Sequence, residues 1–121
     1  MGYSNMEPSP TIWVVNEAGH NYSDALSLIP NSKLEFLSIG NINPLFFDRT
    51  TDTFAEGIAK YVKEGDYLLI SGTPPANAVV YYLWMLMFKE VNALLWDAKK
   101  GRYKIARLTE DHARTLLQSH L

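Results

Sequence analysis

An apolar run from Val79 to Phe88 contains no charged side chain. It is about half the ~20 residues needed to span a bilayer, so it reads as a buried helix and not as an anchor. Thr73 is placed to cap this helix, and Pro74 to occupy its first position, where a missing N–H costs nothing. A helix apolar on nearly every side is expected to be buried on more than one face. A subunit contact is one way to cover it. Short apolar runs flank it, Tyr67–Ile70 before and Val91–Trp96 after, and both read as strands.

The same alternation extends along the chain. Thr11–Val15 is β-branched and aromatic and reads as a buried strand. Tyr22–Leu28 has room for one short helical turn. Leu34–Ile39 reads as a second strand. In Thr50–Glu64, Phe54, Ile58, Tyr61 and Val62 fall on one helical face, and Gly65 suits the left-handed position that ends such a helix. Asp97–Gly101 reads as a hairpin loop that returns the chain as an edge strand, Arg102–Leu108. Thr109 is set to cap a last helix, Glu110–His120, with acids in its first turn.

The order is β, β, α, β, α, β, β, α. The fold class expected is α/β: a small Rossmann-like three-layer sandwich. Its sheet has about five strands, mostly parallel, with an antiparallel edge hairpin. The chain's 121 residues suit one domain, 11–121, behind a flexible polar tail, 1–10.

The bulk numbers narrow the function classes. With no cysteine, disulfides, thiolate zinc sites and cysteine nucleophiles are excluded, which fits a cytoplasmic protein. The N-terminus lacks a signal-peptide pattern. Formal net charge is −2, and the densest basic group, Lys99 to Arg107, reads as a solvated hairpin. Neither a nucleic acid duplex nor a membrane is an expected partner.

In open α/β sheets ligands bind beyond the carboxyl ends of the strands. Three polar loops lie at those ends. The first carries Asn16, Glu17, His20, Asn21, Tyr22 and Asp24. The second carries Asn41, Asn43, Asp48 and Arg49. The third carries Ser71, Gly72 and Thr73, with Asn77 on the next helix turn. A Ser-Gly-Thr turn before a helix suits an anionic group, although Pro74 and Pro75 remove two amides that would cradle it. Arg49 offers charge, and Asn16, His20 and Asn43 offer hydrogen bonds to a base or sugar. His20, Asn43 and Thr73 are expected on one edge of the sheet.

At fold level the layout resembles nucleotide-sensing Rossmann-like modules, including those that bind cyclic oligonucleotides as dimers. That resemblance implies a nucleotide over the strand ends. Two other readings stand beside the small anionic ligand. One is a homodimeric interaction protein, joined through Val79–Phe88, with no small-molecule site. The other is a small hydrolase-type enzyme with His20 as acid–base residue, oriented by Asp24 or Glu17. The dinucleotide fingerprint, the Walker loop and the nucleophile elbow are all missing from the sequence. No cofactor is selected, and the first loop does not supply the three or four ligands of a metal site.

Overall fold

The computed structural model describes residues 9–17, 19–38, 47–72 and 74–121. Alternation along β1 (Thr11–Val14) sets the layers. Ile12 and Val14 point to one face, Trp13 and the following Val15 to the other, and all are buried. A strand apolar on both sides needs cover on both sides, and helices supply it. The short α1 (Ser23–Leu28) covers the Ile12 side with Ala25, helped by Tyr22 and Ile29. Helices α2 (Phe47–Tyr61) and α3 (Pro74–Phe88) cover the Trp13 side with Phe54, Ile58, Ala76, Val80 and Trp84.

The other strands are β2 (Lys33–Phe36), β3 (Tyr67–Leu69), β4 (Glu90–Asp97) and β5 (Arg102–Thr109), and the C-terminal helix is α4 (Glu110–Gln118). The sheet order is β2-β1-β3-β4-β5. β1 pairs in parallel with β2 and β3, β3 with β4 likewise, and β4 with β5 antiparallel. The chain is therefore an α/β sandwich with a mostly parallel five-stranded sheet and an antiparallel edge hairpin.

Several element bounds differ from the sequence expectation. α1 is a separate helix of six residues. α2 begins at Phe47 rather than Thr50 and ends at Tyr61. Gly65 then sits at φ +92, four residues past the helix, in a turn closed by Asp66 N donating to the Lys63 carbonyl. β2 stops at Phe36 rather than Ile39. α3 fully buries Ala76, Asn77, Val80 and Trp84, and Val79, Tyr81, Leu83, Met85 and Phe88 pack partly buried against the same core. Tyr82, Leu86 and Met87 remain about half exposed or more. Its apolar character exceeds what the rest of the chain covers, so the helix is packed over much of its circumference but keeps an open apolar strip. Thr109 caps α4 as expected, accepting from His112 N at 3.1 Å.

The end of the sheet opposite the carboxyl edge is fastened by a buried carboxylate. Asp66 accepts from the Thr11 amide at 3.1 Å, the Trp13 indole N–H at 3.0 Å and the Lys63 amide at 2.9 Å. One side chain thus joins β1 to the turn that leads into β3. At the far edge, Asp97 Oδ1 accepts from the Lys99 and Lys100 amides, which is the hairpin role its position implied.

Candidate functional site

The sheet order reverses direction between β1 and β3, since β2 lies to one side of β1 and β3 to the other. Loops leaving such a pair diverge and leave a crevice at the carboxyl ends. Here the diverging segments are held by polar side chains. Ser38 Oγ donates to the Val15 carbonyl and to Asn16 Oδ1, both at 2.8 Å. Ser71 Oγ donates to the Asn16 carbonyl at 3.2 Å. Asn77 accepts from the Ser71 amide at 3.1 Å and donates to the Ser71 carbonyl at 2.9 Å. The ends of β1, β2 and β3 and the first turn of α3 are thereby tied together.

Gly72 lies in this brace at φ +89, a conformation that favours glycine. A Cβ there would come within 3.1 Å of the Asn16 Cβ. The close approach of the two loops thus requires the missing side chain.

Beside the brace is an open cavity of about 470 Å³, lined by His20, Asn21, Ile70, Ser71, Gly72, Trp96 and Tyr103. Its walls come from the loop after β1, the loop after β3, and the hairpin. Trp96 and Tyr103 are cross-strand partners in edge-to-face contact, with ring centroids 5.0 Å apart. Asp24 Oδ2 accepts from the Tyr103 amide at 2.7 Å, so α1 is tied to the hairpin wall. Burial pushes the Tyr103 hydroxyl above its usual pKa of 10.0, with Tyr22 and Asp24 adding to the effect. Behind His20, Tyr22 meets its ring edge-on at 6.3 Å and packs against Phe36. The Tyr22 hydroxyl is buried and has no hydrogen-bond partner among the described residues.

The residues expected at a site fall into three groups. His20 and Gly72 line the cavity. Asn16 and Asn77 are buried and serve the brace, while Asp24 holds the hairpin. Glu17 accepts from the Gly19 amide, and no hydrogen bond or ion pair joins it or Asp24 to His20 among the described residues. Arg49 is exposed on the first turn of α2 and is not part of the described lining. Asn43 and Thr73 lie outside the described residues. His20 and the residues just before position 73 do share one edge.

Sequence reasoning missed Trp96 and Tyr103. The signal was there, since the two flank a short hairpin loop symmetrically, but only the strand order brings that hairpin to the cavity. Among the described residues no group of His, Asp or Glu is arranged to hold a metal ion. No helix among them is long and apolar enough to cross a membrane.

A family model described as phage Pam3 gp32-like protein matches residues 10–109. The chain belongs to that family. The span shared with the phage Pam3 gp32-like family takes in the whole sheet and every lining residue of the cavity. It stops at Thr109, so α4 lies beyond it. No curated protein and no solved structure matches the chain.

Proposed function

We propose that this member of the phage Pam3 gp32-like family is a ligand-binding module that seats a small organic anion over the carboxyl ends of β1, β3 and β4. The observation that carries this reading is the cavity at the reversal of strand order, walled by three separate segments. Concave sites of this size with few polar groups and aromatic walls suit small molecules. The brace made by Asn16, Ser38, Ser71 and Asn77 supports a preformed shape, which lowers the ordering cost of binding.

Two features of this edge bear on the charge of the ligand. α3 begins two residues past Gly72 and directs its positive end toward this edge. His20 is the only basic side chain of the described lining. A ligand with one modest anionic group fits better than a polyanion. The test is a thermal-shift screen of small organic acids and phosphates against the protein and its His20→Ala variant. Hits that stabilise the protein, and do so less in the variant, support the reading. Hits indifferent to His20 would remove the site from this cavity.

A second reading, self-association, rests on a different observation. Tyr82, Leu86 and Met87 of α3 are 65%, 52% and 47% exposed. α4 buries none of its residues and presents Leu116 and Leu117 to solvent. A second copy would cover these surfaces in the way the apolar run implied. Light scattering across a concentration series tests it, and a constant monomer mass at the highest concentration contradicts it.

A further inference from the structure

We infer that the cavity takes a planar heteroaromatic ring, of the nucleobase or nicotinamide kind, stacked on Trp96. The inference rests on the ligand-binding reading above and names the chemical class of the ligand.

Three tryptophans differ sharply in placement. Trp13 and Trp84 are core residues, 8% and 2% exposed, whereas Trp96 is 53% exposed and lines the cavity. Isolated tryptophan surface at that level is unremarkable, but Trp96 is also held. Tyr103, itself buried, meets it edge-to-face from the neighbouring strand. The Tyr103 backbone is fixed in turn by Asp24. An indole braced on one side and open on another is a stacking platform whose ordering cost is already met. Ile70 adds apolar lining, and His20 contributes a second flat ring to the same cavity.

The polar groups fit the edge of such a ring. Asn21 is exposed in the lining, with its Oδ1 accepting from the Ser23 amide. That leaves its NH2 as a donor to ring acceptors. The described lining contains no Lys or Arg to follow a phosphate backbone, which favours a free small molecule over a nucleic acid strand.

Trp96 also supplies the readout, because it is the tryptophan that solvent and ligand can reach. The experiment titrates adenosine, guanosine, cytidine, uridine and nicotinamide against the protein, following tryptophan fluorescence. Ribose 5-phosphate is the non-aromatic probe, and a thymidine oligonucleotide is the strand probe. Quenching by at least one ring compound is expected, with no quenching by ribose 5-phosphate. Binding measured by calorimetry should weaken on the order of tenfold or more in Trp96→Leu and be largely kept in Trp96→Phe. Trp96 lies at the surface, so both variants should fold, and circular dichroism checks this.

Stabilisation by ribose 5-phosphate without quenching by any ring compound overturns this inference and leaves the ligand-binding reading standing. Failure of every small probe to bind counts against both. Salt-sensitive binding of the oligonucleotide, tighter than any single nucleoside, overturns the assignment to a free molecule.

Discussion

Asn77 gives both halves of its carboxamide to Ser71, and Asn16 receives Ser38 and lies against Gly72. The polar character of these residues was legible in the sequence, and so was their place at strand ends. Whether such a side chain faces a ligand or a neighbouring loop depends on distances across strands far apart in sequence. Asn77→Ala leaves the Ser71 amide and carbonyl without that partner and should lower unfolding free energy by about 2 kcal/mol in urea melts. Asp66→Ala strips one acceptor from three donors and should cost on the order of 3 kcal/mol or more by the same measurement. Tyr22→Phe should behave oppositely. It removes a buried hydroxyl that has no partner among the described residues, so stability should hold or rise by about 1 kcal/mol.

At the scale of elements, the helices and strands were legible wherever a periodic pattern or a cap marked them. Thr109 and Pro74 mark helix starts, and the Asp97–Gly101 turn marks the hairpin. α1 was less visible because six residues give little periodicity, and its stability comes from Ala25 and the flanking Tyr22 and Ile29 packing on β1. The hairpin carries a pH dependence. Burial raises the pKa of Tyr103 and of Tyr81 on α3 above their usual 10.0. The folded state then holds these protons more tightly than the unfolded chain. Their contribution is complete below about pH 10 and is lost as pH rises toward the raised folded values. Denaturation midpoints should therefore fall above about pH 10, and fall less steeply in Tyr103→Phe. In α4, the Arg114 hydrogen bond and the Lys89 charge hold the Glu110 carboxyl below its usual 4.5. That contribution is present above about pH 4.5 and fades as pH drops through the lowered folded value. The pair is solvent-exposed and screened, so the loss of helical signal from α4 on acidification should be small and should shrink further at high salt.

At the scale of the whole molecule, the strand order decides what the polar loops can do together. Sequence reading expected a ligand at the carboxyl edge, and the order β2-β1-β3-β4-β5 puts His20, Gly72 and the hairpin aromatics around one cavity there. The pairing of β4 with β3 is what brings Trp96 into the wall, and no local pattern encodes it. The self-association reading concerns the exposed apolar residues of α3 and α4 instead. Leu86→Glu and Leu117→Glu should shift any dimer toward monomer in light scattering without altering ligand binding, since neither residue lines the cavity. Whether the cavity holds a small molecule can be read by native mass spectrometry of the freshly purified protein, alongside the His20→Ala and Trp96→Leu variants. An added mass of a few hundred daltons per chain, typical of a small organic ligand, is expected and should be reduced in both variants. A ligand-bound mass unchanged by either substitution, or a protein that takes up none of the probes offered to it, would contradict the ligand-binding reading.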